Sequence, residues 1–541
     1  VSSFRGEHYT QVSGATVTGT VTDPSGGVIA SAQIAAKNVA TAVVTTTTTN
    51  SDGFYNLPNL LPADYQVTVT AAGFSTKVVS ITLTVGAKRS LDIGMVVGQS
   101  QQTVQVTEEA PSIQLASSTI SGNVEGSEVR ELPLNGRDWA SLATLQPGVV
   151  SVRTHESVTQ VGSHARGLGM QLSIGGNRPQ QNTYRLNGVI INDYSNAGPG
   201  SVLGQNLGVD AIQEFSVLTS NYTAEYGFTS GGVINAISRS GTNQFHGSAY
   251  EFIRNSALDA ADFFENANGL PKGAFRRNQF GGSAGGPIWK DKIFIFGDYE
   301  GLRLTKGIPH TANVPSPNAR NGILNDGNGN PLPALPSNFV CPAGSSLPVP
   351  GQSNTCVDGE IAKFFTFYPA FNAGLTGPSN NTGHYAFSGA QVVPENYYTT
   401  RADVKFSDKD ALNGSWYYDR SSFTQPDGLN QVLDQFIVGR QGFAVEETHI
   451  FSPMLANSVR FGYNRSYGDG QLTPTAINPA AKDPSFGISQ NLFAPRINVP
   501  GLTAFRGGLN GQSVQNYLLQ TYQVYDDAVR TVGTHNVKFG A

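Results

Sequence analysis

Apolar and polar residues alternate with a period of two through much of the chain, the spacing that turns one face of a β-strand to a core and the other to solvent. Between Thr16 and Val97 the alternation comes in short runs: Tyr65, Val67 and Val69 against Gln66, Thr68 and Thr70, then Val79, Ile81, Leu83 and Val85. Asp23-Pro24-Ser25-Gly26-Gly27 and Asn50-Ser51-Asp52-Gly53 separate the runs and supply the Gly and Asp residues that tight reversals need. Short strands with complete turns predict a β-sandwich over residues 14–98. Longer alternating runs appear after residue 243. Ala402, Val404 and Phe406 interleave with Arg401, Asp403 and Lys405, and Leu412, Trp416 and Tyr418 with Asn413, Ser415, Tyr417 and Asp419. Val459, Phe461 and Tyr463 repeat the pattern.

The two kinds of run suit different surroundings. A soluble sandwich alternates, and so does a membrane barrel, whose apolar positions face lipid and polar positions the lumen. Connection lengths favour the barrel, because such barrels alternate short turns at one end with long loops at the other. Tight turns are predicted at Trp289–Lys292, Ser407–Asp410, Ser452–Leu455 and Val532–His535. Long loops are predicted between strands near 245–254 and 277–287, and at 305–395, 422–442 and 468–513.

Composition narrows the choice. A chain of 541 residues needs several cores. Only 13% of residues are charged, against about a quarter in ordinary soluble proteins. A net charge of -5 offers no field to gather phosphates, so a nucleic-acid partner is not expected. No apolar run approaches the roughly 18 residues of a membrane helix, so a membrane crossing must be made by strands. The chain begins at Val1, which leaves open both a removed signal peptide and a chosen fragment.

Catalytic and metal patterns fail on inspection. Gly281-Gly282-Ser283-Ala284-Gly285 has the spacing of a nucleophile elbow, but Gly286-Pro287-Ile288-Trp289 continues as strand and turn where a helix is required. The eight histidines are scattered, the closest pair being His155 and His164, without zinc-binding spacing. Asp326, Asn328 and Asn330 resemble the start of a calcium loop, but Pro331 and Ser337 stand where glycine and a bidentate glutamate are needed, so a surface turn is expected. Cys341 and Cys356 lack companion ligands for zinc and are expected to form a local disulfide in an oxidising compartment. No catalytic residue, metal or cofactor is expected, and the chain is not read as an enzyme.

Two resemblances organise the chain. Gly19, Val21, Asp23, Gly27, Ala32, Asp52-Gly53-Phe54-Tyr55, Leu60-Leu61-Pro62, Tyr65 and Gly73-Phe74 resemble the carboxypeptidase regulatory-like domain, an accessory β-domain without peptidase chemistry. Ala63 departs from that pattern, where the family has Gly. Val129 to Asp138 lead into a helix-like stretch from Trp139 to Leu145 that Asp138 can cap. Then come Ser173 to Arg178, Arg185-Leu186-Asn187-Gly188-Val189, Ala211 to Phe215, Ala224 to Gly227 and Ser230 to Ile237. In this order they resemble the plug domain of TonB-dependent receptors, and Ala236-Ile237-Ser238-Arg239 is similar to the Oar-like branch.

The resemblance implies a mainly β chain: an N-terminal β-sandwich of transthyretin/Ig-like type (14–98), a linker (99–111), a small α/β plug (112–242) and an incomplete antiparallel transmembrane β-barrel (243–541). It implies an outer-membrane protein with its N-terminal domain in the periplasm, surrounded by outer-membrane lipid. The implied function is TonB-driven import of a solute, with oligosaccharides and peptides as the expected classes; the alternative is an adhesion or polysaccharide-binding protein that keeps the architecture without transport. A partner surface lipoprotein would point to glycans. Thr103, Val104, Gln105, Val106 and Thr107 resemble the TonB box, which pairs with TonB by strand addition; a final sandwich strand or plain linker is the other reading. Arg166, Arg178 and Arg185 are expected either to touch cargo or to brace the plug. Eight strands and the start of a ninth are counted, against roughly 22 in such transporters, so the sheet is expected to remain open and the sequence to be partial.

Overall fold

The computed structural model describes residues 14–98, 103–107, 119–132, 134, 136–153, 169–227, 229–261, 263, 266, 272–470, 475–487, 494–507 and 516–541. The sandwich has two sheets. Strands β1 (Ala15–Thr22), β4 (Phe54–Leu60), β7 (Lys88–Ser90) and β8 (Ile93–Gly94) form one; β2 (Gln33–Asn38), β3 (Val44–Thr48), β5 (Ala63–Thr70), β6 (Thr76–Leu83) and β9 (Thr103–Thr107) form the other. Burial alternates strictly along β1, so Ala15, Val17 and Val21 enter the core with Ile34, Tyr55, Leu57, Val67, Val69 and Ile81. Gly19 lies where β1 runs against Leu91: a Cβ there would fall 1.9 Å from the Leu91 carbonyl oxygen.

In the second sheet residues 103–107 take the final-strand alternative: they pair in parallel with β6, with Val104 opposite Lys77 and Val106 opposite Val79. A β-prone run beside an uncovered sheet edge satisfies its backbone groups by pairing there.

The plug is a mixed sheet, order β10 (Ile120–Val124), β15 (Ile212–Ser220), β16 (Val233–Ser238), β13 (Thr183–Leu186), β14 (Val189–Ile190), with a hairpin of β11 (Val149–Arg153) and β12 (Gln171–Ile174) beside it. One short helix, α1 (Gly126–Glu131), follows β10. Trp139–Leu145 is a 3-10 helix, and the Asp138 side chain caps it by accepting from the Ala140 amide at 3.1 Å. Asn187 and Gly188, at φ 50 and 78°, make the tight turn between β13 and β14.

Nine long strands then run antiparallel: β17 (His246–Asn255), β18 (Phe275–Trp289), β19 (Ile293–Pro315), β23 (Thr382–Lys405), β24 (Asp410–Pro426), β25 (Val432–Ser452), β26 (Leu455–Gly470), β28 (Asn516–Val532) and β29 (His535–Gly540). Four two-residue strands, β20 to β22 (Ser345–Ser346, Val357–Asp358, Leu375–Thr376) and β27 (Thr475–Ala476), decorate the loops. Among the described residues β17 and β29 are not paired, so the sheet is open. All four tight turns fall where the alternation placed them. Two loops differ: β19 and β23 reach to Pro315 and back from Thr382, so the loop expected at 305–395 spans 316–381, and the long loop expected at 422–442 shrinks to 427–431.

At the end opposite the tight turns, the long loops build a core of their own. Ala312, Val314, Phe367, Leu429, Val432 and Phe505 are buried together, with Phe367 stacked on Phe505 at 4.2 Å.

Candidate functional site

Strand pleating sorts the barrel residues into two faces. Outward positions of neighbouring strands carry Ile295, Tyr398, Trp416, Phe443, Val445, Val459, Phe461, Tyr522 and Val524, all exposed, which is the apolar belt that hydrocarbon requires. Inward positions carry Asp298, Glu300, Glu395, Arg401, Asp419, Arg440, Glu446 and Arg460, all buried against the plug or one another. The inward face is not wholly polar, contrary to the simple expectation. Phe296, Leu302, Tyr397 and Tyr417 turn inward and join the plug core around Trp139, Leu172, Phe215 and Ile234. The plug covers these side chains, so they are dry without touching lipid.

Polar contacts pin the plug to the wall. Arg137, in the left-handed region at φ 54°, aims its guanidinium at Glu300 (3.0 Å) and Asp210 (2.5 Å) and lies 4.1 Å over the Tyr250 ring. Glu300 also accepts from the Gly208 amide at 2.8 Å and Gln279 Nε2 at 2.7 Å, so both carboxylate oxygens are engaged. Arg401 donates to the Ser238 carbonyl at 3.1 Å while pairing with Asp403. Arg440 donates to Asn206 Oδ1 at 2.6 Å and is paired with Asp419. Asn187, presented by its turn, donates to Ser415 Oγ at 2.8 Å. These buried pairs are strong only as complete sets, since an unpartnered charge in a dry site is costly.

The three arginines singled out in the plug separate. Arg166 lies outside the described residues. Arg178 is exposed, its amide accepted by Gln181. Arg185 is 1% exposed, its Nε and Nη1 meet no acceptor among the described residues, and it lies near the Tyr226 ring; burial lowers its pKa to about 10. The plug–wall partners were missed because each pair joins residues distant in sequence. Their signal was present in Asp298, Glu300, Asp419 and Arg440, charged residues at positions that the alternation turns inward.

The remaining chemistry is structural. Ser283 sits inside β18 and meets Ser248 Oγ at 2.9 Å. Asp326 Oδ1 accepts from the Asn328 and Asn330 amides at 2.8 and 2.9 Å, a turn closed on itself. Cys341 and Cys356 are disulfide-bonded, with Cα atoms 5.8 Å apart. Asp410, Glu447 and His449 bring three ligating atoms together at the tight-turn rim, where His449 Nδ1 and Asp410 are 2.6 Å apart.

Comparison with known proteins decides the family. A family model described as "Outer membrane beta barrel domain" matches residues 237–541. The chain belongs to the outer membrane beta barrel domain family. The family is one of membrane barrels and not of enzymes. It places the strands in the outer membrane and the sandwich on the periplasmic side. In front of this barrel, residues 16–96 match the carboxypeptidase regulatory-like domain. The "TonB-dependent transporter Oar" of Myxococcus xanthus is 28% identical over 304 residues, covering 52% of this chain and 26% of that protein. The chain thus spans about a quarter of that curated relative. Two solved structures are similar at low identity. The outer membrane transporter YddB of Escherichia coli has a TM-score of 0.43 and 13% identity, over 76% of this chain and 45% of that one. A mutant ferric enterobactin receptor (PfeA) of Pseudomonas aeruginosa has a TM-score of 0.40 and 12% identity, over 78% and 48%.

Proposed function

We propose that this barrel and plug form part of a TonB-dependent importer of the outer membrane, for a solute of the oligosaccharide or peptide class. One observation carries the proposal: among the described residues no plug strand pairs with the wall, and the plug is held in the lumen by side-chain contacts, the polar anchors Arg137, Arg401 and Arg440 beside the inward Phe296, Leu302, Tyr397 and Tyr417. Such contacts can be broken without opening the barrel sheet, so the plug is removable by a pull. The relative's name supports the energy source. Thr103–Thr107 is the proposed point of attachment, its second edge unpaired among the described residues and so open to an added strand. Arg185 is assigned to bracing or to cargo contact within the lumen, and Arg178, being exposed, to neither wall contact. Membrane lipid surrounds the outward belt, and a surface lipoprotein is the partner expected if the cargo is a glycan.

The test compares prolines along β9 in the full chain. Successive backbone N–H groups of a strand point to opposite edges, so Val104→Pro and Val106→Pro remove donors from one edge and Gln105→Pro from the other. Binding of the purified periplasmic domain of TonB is measured by calorimetry, beside uptake of fluorescent oligosaccharide and peptide pools by cells. The expected result is loss of binding and uptake in the variants of the free edge alone. Unchanged binding in all three moves the coupling site elsewhere, and absence of binding by the parent chain favours the adhesion reading.

A further inference from the structure

The sandwich is docked across the periplasmic mouth of the barrel. Along β4, Tyr55 and Leu57 point into the sandwich core, so Asn56 between them points outward, yet it is only 3% exposed. A barrel turn covers it: Asn56 Nδ2 donates to Thr531 Oγ1 at 3.3 Å. Three neighbours make further contacts with this end of the barrel. Thr47 Oγ1 donates to the Pro453 carbonyl at 3.3 Å, Asn50 Nδ2 to the Gly533 carbonyl at 2.7 Å, and Asn59 Nδ2 to Thr448 Oγ1 at 2.9 Å. Lys405 reaches the Val44 carbonyl, and the Asn243 amide donates to the Ala40 carbonyl at 3.0 Å. The opposite side of the sandwich meets the plug, where the Val85 amide donates to the Glu214 carboxylate and Asn123 Nδ2 to Thr84 Oγ1 at 2.8 Å.

This contact is built to separate. Among the described residues the apolar core of the sandwich contains sandwich residues only, and the plug core contains none of them, so no apolar cluster of described residues bridges the two. A cavity of about 160 Å³ remains in the seam, lined by Asn38, Asn59 and Tyr65 on one side and Asn187, Arg401 and Asp403 on the other. Polar contacts of this kind are readily exchanged for water, and domains joined by them move relative to one another. The strand assigned to coupling is itself the edge strand, beside β6, of one sheet of the docked sandwich.

We infer that the sandwich is a latch whose docking surface is the ring of periplasmic turns: a pull on Thr103–Thr107 lifts the sandwich off the barrel mouth and frees Glu214 before the plug moves. The inference rests on the coupling role proposed above. Its test needs no cargo. Both native cysteines are bonded to each other, so Asn56→Cys, or Thr47→Cys as a second reporter, gives the full chain one reactive thiol. Cells are treated with a small maleimide that passes porins. Labelling is expected to be slow without TonB or with a protonophore, and about tenfold faster in energised cells, because the rate follows the population of the open state. The double variant Asn56→Cys/Thr531→Cys is expected to form a disulfide and to label only after reduction. Equal labelling in energised and de-energised cells, whether uniformly fast or slow, overturns the latch. Calorimetry with TonB's periplasmic domain keeps the two readings apart: binding without a change in labelling sinks the latch alone, whereas no binding removes the coupling role.

Discussion

Replacing Arg137 by alanine tests whether the plug is held by its anchors. The side chain is 12% exposed and its partner Glu300 is fully buried, so the variant strands a carboxylate in a dry site. Breaking a buried pair in this way costs about 3–5 kcal/mol. Glu300 keeps the Gly208 amide and Gln279 Nε2, and Asp210 keeps Ser248 Oγ at 3.1 Å, which places the expected loss at the lower end, about 3 kcal/mol. With a urea dependence of about 1.5 kcal/mol per molar for a plug of this size, the midpoint of plug unfolding falls by about 2 M. The chain has three tryptophans, and only Trp139 belongs to the plug, 4% exposed and 5.4 Å from the Phe215 ring. Fluorescence of Trp139, in a background with Trp289→Phe and Trp416→Phe, therefore follows plug release in detergent. Arg137→Met combined with Glu300→Gln removes both charges and is expected to recover most of the loss. A single variant that costs less than about 0.5 kcal/mol, or a double variant no better than the single, refutes the anchoring argument.

Two further perturbations probe the contact between plug and sandwich and the sandwich itself. Burial raises the Glu214 carboxyl from its ordinary 4.5 to about 7, with Glu125 as a nearby like charge and the Val85 amide opposing the shift. The folded plug therefore favours the proton more than the unfolded chain does: the stabilisation is complete below pH 4.5 and is lost as pH rises through about 7. Its full size is about 3 kcal/mol, and Glu214→Gln should flatten the dependence of plug stability on pH over this window, while an unchanged profile assigns the dependence elsewhere. Gly53 sits at φ 69°, and a Cβ there would lie 2.8 Å from Val28 Cβ and 2.9 Å from the Val21 carbonyl oxygen. Gly53→Ala is expected to destabilise the sandwich by about 1–3 kcal/mol in thermal unfolding followed by circular dichroism, and a neutral effect would show that the turn adjusts.

Strand identity was legible where one face of the strand meets lipid and the other the lumen, because that boundary imposes alternation on residues such as Arg401 to Phe406. Strand length was not. Thr305 to Pro315 carry Gly307 and Pro309 and lack the pattern, yet they pair with Thr382 to Val392 without a break. Beyond the belt, water or the loop core replaces lipid, and the requirement for alternation lapses. The plug signatures marked the plug, but its partners on the wall lie far along the chain: Arg137 and Glu300 are 163 residues apart, and Arg440 and Asn206 are 234 apart. No local pattern encodes such pairs. Inward apolar residues were hidden for a related reason, since Phe296 looks lipid-facing until the plug that covers it is placed. The pairing of Thr103–Thr107 with β6 was visible only as one of two readings, because five β-prone residues fit an open sheet edge on their own chain as well as one on a partner.

The cluster around Phe367 and Phe505 gives the outer rim a different character from that of ordinary barrel loops. Segments that fold over their own hydrophobic centre have already lost most of their chain freedom, so a solute meeting this rim need not supply the energy to order it. Exposed positions on such a crown, among them Leu332, Phe339 and Val340, can be exchanged without disturbing the strand ladder beneath. Recognition can therefore diverge between related proteins while the membrane-spanning machine stays the same, and a crown grafted onto another barrel at the ends of β19 and β23 would carry its shape with it.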